Sequence, residues 1–132
     1  YNQTISQPYT VAFMLELLDP KRGDRILDVG SGSAYTTAIL SETVGNGGQV
    51  FGVEIIPELV TLGKNNLAKY NFTNAKIIQA KDELGLPNES PFDKILVSAS
   101  AEEIPMSLVK QLKVGGTMVI PIKNDICRIE KK

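Results

Sequence analysis

The segment Asp28-Val29-Gly30-Ser31-Gly32-Ser33-Ala34 has the residue types and spacing best suited to holding a ligand. Two glycines one residue apart let the backbone turn tightly and approach a ligand with no Cβ in the way. The helical stretch that follows offers free N–H groups at its start. Glu54 is the second candidate. It ends an apolar run, where a carboxylate can accept hydrogen bonds from both hydroxyls of a ribose lying across strand ends. Each has a plainer alternative: a glycine-rich turn often only joins a strand to a helix, and Glu54 could be a solvated strand terminus. A dinucleotide fingerprint needs Gly or Ala three places after Gly32, but Tyr35 stands there, too large for close helix-to-strand packing. The lysine of a phosphate-binding loop is missing as well, so NAD binding and phosphoryl transfer are both disfavoured.

What the sequence lacks narrows the chemistry further. It has no histidine, which removes Ser-His and Cys-His nucleophilic pairs, histidine metal ligands and the commonest general base. Cys127 is the single cysteine, so an internal disulfide and a cysteine-rich zinc site are excluded, and no metal site is expected. The formal charge is -1, with Lys and Arg scattered among Asp and Glu, so no nucleic-acid partner is expected. The one basic cluster, Arg128, Lys131 and Lys132, reads as a solvated tail or as a small binding patch. No apolar run reaches the roughly 18 residues of a membrane span and no secretory leader opens the chain, so the expectation is a soluble, cytoplasmic protein without a membrane partner.

These candidates need elements to position them. With 132 residues and 42% hydrophobic content the chain can bury one sizeable core, and a single domain over 1–132 is expected. Val11, Met14, Leu15 and Leu18 recur at helical spacing between Pro8 and Leu18. Arg25 to Val29 reads as a strand, the glycine turn follows, and a helix runs to about Val44. Gly45-Asn46-Gly47-Gly48 breaks the chain, Gln49 to Ile55 supplies a second strand, and Pro57 starts a helix with Leu59, Leu62, Leu67 and Tyr70 largely on one side. Ala75 to Gln79, Lys94 to Ala99 and Thr117 to Ile122 read as further strands whose apolar character fits parallel strands buried on both faces. A helix carrying Met106, Val109 and Leu112 precedes the last of them, with Gly115-Gly116 as the turn between. Asn124-Asp125 leads into a stub, Ile126 to Glu130, read as antiparallel. The predicted fold is α/β, an open, doubly wound, mostly parallel sheet, whose ligands sit outside the carboxyl ends of the strands.

Residues 28–34 (DVGSGSA), 51–60 (FGVEIIPELV), 91–105 (PFDKILVSASAEEIP) and 112–122 (LKVGGTMVIPI) resemble consecutive blocks of the protein-L-isoaspartate O-methyltransferases. Residues 3–8 (QTISQP) resemble that family's distinctive upstream segment, so the likeness covers nearly the whole chain. The glycine turn and Glu54 are shared by Rossmann-like methyltransferases generally and point to the cofactor. Residues 3–8 are narrower and point to the substrate. The resemblance implies S-adenosyl-L-methionine as cofactor and, as partner, a protein or peptide carrying L-isoaspartyl residues whose free carboxylate takes the methyl group. By position, it implies that Asp28, Gly30, Ser31, Gly32 and Ser33 wrap the amino acid end of the cofactor, while Glu54 and Ile55 hold the ribose and flank the adenine. Thr4 and Ser6 are implied to line the place of methyl transfer, with Ser6 as the active-site hydroxyl. Read from residue type alone, Thr4 and Ser6 suit helix capping ahead of Pro8.

The sequence departs from the family at Ala34, where glycine is usual, and at Tyr9, where a histidine is common. It also carries Ala80-Lys81-Asp82 in place of a Gly-Asp-Gly segment whose acid reads the adenine amino group. Lys81 has no acceptor, so Asp82, followed by Glu83, is the nearest replacement. Family members extend at both ends, which implies a methyltransferase core shortened at both. Two other functions stay open: a cofactor-binding module without catalysis, and a methyltransferase of the same fold with another small acceptor.

Overall fold

The computed structural model describes residues 8–132. Its elements in chain order are α1 (Pro8–Leu18), β1 (Arg25–Val29), α2 (Tyr35–Val44), β2 (Gln49–Glu54), α3 (Pro57–Lys69), β3 (Ala75–Gln79), a 3-10 turn (Pro87–Glu89), β4 (Phe92–Val97), α4 (Met106–Val109), β5 (Leu112–Ile122) and β6 (Asp125–Glu130). The six strands form one sheet in the order β3-β2-β1-β4-β5-β6, parallel except for β6, which pairs antiparallel with β5. The chain winds outward from β1 through β2 to β3, then crosses back to lay β4 on the other side of β1. That reversal opens a crevice between β1 and β4 at the carboxyl edge, the usual ligand position in such sheets.

Both faces of the sheet are covered, which is why its central strands read as near-continuous apolar runs. Neighbours along each strand point to opposite sides. Ile26, Val50, Leu96 and Val119 pack under Met14 and Leu18 of α1 and Leu40 and Val44 of α2. Leu27, Phe51, Ile95 and Met118 join the other core with Leu108 of α4 and Leu86 of the long connection after β3. Buried Gln111 pins that connection by accepting from the Leu86 N–H at 2.8 Å and donating to the Leu84 carbonyl at 2.9 Å. Among the described residues no helix is long and apolar enough to cross a membrane.

Three sequence expectations need correction. The helix expected through Leu112 lasts only from Met106 to Val109, and Leu112 already belongs to β5. Gly115-Gly116 is not the turn into that strand but an irregularity inside it. The register against β4 jumps from Phe92↔Leu112 to Lys94↔Thr117, Gly115 adopts φ +88°, and a Cβ on Gly116 would lie 2.8 Å from the Asp93 carbonyl oxygen. Glycine accommodates the bulge and the close approach, and hydrogen bonds with Lys131 keep both residues in the sheet. The buried face of α3 is Val60, Gly63 and Leu67, whereas Leu62 and Tyr70 face solvent.

Two residues of the basic cluster near the end of the chain are tied to main-chain carbonyls, while Lys132 is exposed. Arg128 Nε donates to the Leu17 carbonyl at 3.1 Å, and Lys131 Nζ donates to the carbonyls of Val109 at 3.0 Å and Leu112 at 2.8 Å. These cations satisfy carbonyls at the ends of α1 and α4 and at the start of β5, and side chains at helix C-termini commonly do this.

Candidate cofactor site

β1 carries Asp28 into the interior on the side covered by α2. The residue is fully buried, and Thr37 in the first turn of α2 donates its hydroxyl to Asp28 Oδ2 at 2.7 Å. Among the described residues, Asp28 Oδ1 and the buried Ser31 Oγ have no hydrogen-bond partner. Loss of water pushes the Asp28 carboxyl up to about 6; the Thr37 hydrogen bond works against the rise and the nearby Glu54 carboxylate adds to it. Gly52 lies opposite Asp28 in the β1–β2 ladder, and a Cβ there would sit 2.8 Å from Ile77 Cδ1, 2.9 Å from Ser31 Cβ and 3.0 Å from Thr37 Oγ1. Gly52→Ala is therefore expected to destabilise the fold by about 1–3 kcal/mol through overpacking beneath the turn. An unchanged urea midpoint would show that this space is not filled as described.

The glycine turn is fixed from several sides. The N–H groups of Gly30 and Ser31 donate to the Val53 carbonyl at 2.8 and 3.1 Å, and the Ala34 N–H donates to the Ser31 carbonyl at 2.9 Å. From β2, the buried Glu54 carboxylate accepts the Gly32 N–H at 2.7 Å through Oε1, while its Oε2 accepts those of Ile55 and Ile56 at 2.9 and 3.1 Å. From α3, Asn66 Nδ2 donates to the Ser33 carbonyl at 2.8 Å. Helix α3 can come this close because Gly63 has no side chain: a Cβ there would meet the Gly32 carbonyl oxygen at 3.3 Å. Gly30, Gly32 and Ala34 have φ of +79°, +55° and +73°. At Ala34 the left-handed conformation costs roughly 1–2 kcal/mol.

Six of the sequence-predicted residues, Asp28, Gly30, Ser31, Gly32, Ser33 and Glu54, thus converge at the carboxyl edge. Ile55 follows directly and is 74% exposed, an apolar side chain available to a ligand. The Ala80 N–H donates to the Glu54 carbonyl at 2.8 Å, placing the segment after β3 beside the end of β2, with Asp82 and Glu83 exposed just beyond. Thr4 and Ser6 lie outside the described residues. Sequence reasoning missed Thr37, Gly52, Gly63 and Asn66. The two glycines did carry a signal, since glycine inside a strand or helix often marks a close backbone approach. A buried strand acid such as Asp28 also needs a donor, though nothing local pointed to Thr37.

Comparison with known proteins agrees with this geometry. The family model for protein-L-isoaspartate(D-aspartate) O-methyltransferase matches residues 1–132. Protein-L-isoaspartate O-methyltransferase 1 of Archaeoglobus fulgidus is 48% identical over 92% of this chain and 56% of its own length. The Methanopyrus kandleri protein-L-isoaspartate O-methyltransferase is 48% identical over 91% of this chain and 54% of its own. The chain thus spans little more than half the length of these curated relatives. Among solved structures, a protein-L-isoaspartate O-methyltransferase superimposes with a TM-score of 0.90 at 30% identity, covering 98% of this chain and 43% of that one. A candidate protein-L-isoaspartate O-methyltransferase from Plasmodium falciparum, in complex with S-adenosyl-L-homocysteine, gives 0.86 at 33% identity over 100% and 69%. With a Rossmann-like sheet, a braced glycine turn, an acid at the end of β2 and a family match over its full length, this chain belongs to the protein-L-isoaspartate(D-aspartate) O-methyltransferase family.

Proposed function

We propose that this chain binds S-adenosylmethionine across the carboxyl edge of its sheet and transfers the methyl group to the free carboxylate of L-isoaspartyl residues in proteins or peptides. The observation that carries the proposal is the contact between the Glu54 carboxylate and the Gly32 N–H at 2.7 Å, which brings the two predicted halves of the cofactor site together. The residues fit such a ligand. Among the described residues a Cβ at Gly32 would meet nothing within 4 Å, which leaves the outer side of the turn open to close approach by a ligand. Helix α2 starts without a side-chain cap, leaving N–H groups of its first turn for a carboxylate. A carboxylate has about four acceptor sites, so Glu54 keeps roughly one for a ribose hydroxyl beyond its three amide partners.

S-adenosylmethionine supplies a methyl group already activated by its sulfonium. The acceptor carboxylate is ionised at neutral pH and needs no base, so a chain without histidine suffices. What the protein contributes is orientation of the acceptor oxygen in line with the methyl carbon and sulfur. Ser6 is assigned the donor that fixes the carboxylate angle, with Thr4 beside it. The proposal includes one domain over 1–132, protein or peptide substrates, and a cytoplasmic setting, which suits a lone free cysteine.

The test is incubation with labelled S-adenosylmethionine and an isoaspartyl peptide, and the expected product is a base-labile methyl ester. Binding without turnover would instead make the chain a cofactor-binding module, and turnover only on other acceptors would give it another substrate. Ser6→Ala is expected to lower turnover about 10- to 1,000-fold, as loss of one orienting donor does, with cofactor affinity nearly unchanged. An equal loss of folding stability would assign Ser6 to helix capping.

A further inference from the structure

Thr37 uses its hydroxyl differently from Ser41 and Thr43 of the same helix. Those two donate to carbonyls four residues back, of Thr37 at 2.7 Å and of Ile39 at 2.9 Å, the usual outlet for a hydroxyl inside a helix. The carbonyl four residues before Thr37 is that of Ser33, which precedes the left-handed Ala34 and accepts from Asn66. Thr37 turns to the sheet instead. It is fully buried, and its hydroxyl donates to Asp28 Oδ2 at 2.7 Å. Gly52 leaves the room for this, since a Cβ there would lie 3.0 Å from Thr37 Oγ1.

The bond acts on Asp28 in two ways. It fixes Oδ2 and with it the plane of the carboxyl group, leaving Oδ1 as the oxygen without a partner among the described residues. It also opposes the surroundings: burial favours the neutral acid, the Thr37 hydrogen bond favours the carboxylate, and the Glu54 carboxylate again favours the acid. Across the ladder Asp28 faces Gly52 of β2 and Leu96 of β4, neither of which carries a charge. Glu54 of β2 is therefore its charged neighbour, and Thr37 of α2 is the group that supports the anion.

We propose that Thr37 is a positioning residue of the cofactor site, whose hydroxyl keeps Asp28 an oriented carboxylate beneath the glycine turn so that its charge attracts the ammonium group of S-adenosylmethionine. This assignment rests on the cofactor reading above and names the residue on which the amino acid end depends. A buried charge acts strongly because little water screens it. A neutral acid offers no such attraction, so affinity falls as Asp28 takes up a proton.

Calorimetry between pH 5 and pH 7 tests this with two ligands: S-adenosylhomocysteine, which carries the same ammonium, and 5′-methylthioadenosine, which lacks the amino acid end. With Asp28 titrating at about 6, the parent is expected to bind S-adenosylhomocysteine up to about tenfold more weakly at pH 5 than at pH 7. Asp28→Asn cannot ionise and should bind it weakly with no slope. Thr37→Val removes the donor and keeps the bulk. Its defect relative to the parent should be on the order of tenfold at pH 5, the scale of one hydrogen bond to a charged acceptor, and should narrow toward pH 7 as Asp28 ionises in both proteins. Thr37→Ser keeps the hydroxyl and should follow the parent's profile. Thr37→Ala replaces the valine variant if urea denaturation shows that the latter does not fold. All of these proteins should bind 5′-methylthioadenosine alike at every pH. A defect of Thr37→Val that stays constant across pH overturns the assignment, as does one that Thr37→Ser shares or that extends to 5′-methylthioadenosine; Thr37 is then a packing residue while the cofactor reading stands. If the parent binds neither ligand, the cofactor reading fails and the assignment with it.

Discussion

Glu54→Ala is expected to lower folding stability by about 3–5 kcal/mol and to weaken S-adenosylmethionine binding as well. The buried carboxylate is the acceptor for three N–H groups, those of Gly32, Ile55 and Ile56. Hydrogen bonds to a charged partner contribute roughly 1.5–3 kcal/mol each and do not add fully when they share that partner. Without them the glycine turn loses its link to β2, so a ligand also has to order the turn on binding. Glu54→Gln should fall between the two proteins: its single amide oxygen can serve one side of the site, while the –NH2 can only donate. Urea denaturation without ligand reads the first effect and calorimetry the second. A variant that unfolds at the parent midpoint would mean that Glu54 does not brace the turn.

The second large effect is a pH dependence. The Asp28 carboxyl is raised from 3.8 to about 6 by burial, so the folded protein holds this proton more tightly than the unfolded chain does. No stability is lost on this account below pH 4. A cost develops as pH rises through the folded value and is complete above it, amounting to about 3 kcal/mol for a shift of this size. Asp28→Asn keeps an acceptor for Thr37 and cannot ionise. The stability of Asp28→Asn relative to the parent should therefore climb by about 3 kcal/mol between pH 4 and pH 7 and level off beyond. Comparing the two proteins across pH cancels every other titrating group, and a flat difference would contradict the buried, raised carboxyl. Retaining an acid that destabilises the fold at neutral pH fits a ligand-facing role for Oδ1, which has no partner among the described residues, since functional sites often keep such groups against stability.

The sequence made these sites visible to different degrees. Strands such as Arg25–Val29 were legible to the residue because burial on both faces demands apolar runs, and Gly30 and Gly32 were legible because a turn before a helix needs them. Glu54 was legible as a candidate ligand to ribose but not as the brace of the turn. Its bond to Gly32 spans 22 residues and depends on how β1 and β2 pair. Asn66 is hidden for the same reason: an asparagine in an amphipathic helix reads as polar surface until α3 is laid against the turn. The bulge at Gly115-Gly116 passed for a turn because the partner that keeps it in the sheet, Lys131 just beyond β6, is supplied only by the pairing of distant segments.

The central claim is that the braced turn and Glu54 select S-adenosylmethionine over a nicotinamide dinucleotide. Isothermal titration calorimetry of the parent and Gly32→Val with both ligands tests it most directly. Gly32 has φ +55°, which a β-branched residue adopts only with strain, and its Cβ would project into the side of the turn proposed to receive the ligand. The prediction is that the parent binds S-adenosylmethionine and its demethylated product but not NAD, and that Gly32→Val binds none of them. A parent that bound NAD well and S-adenosylmethionine not at all would contradict the account.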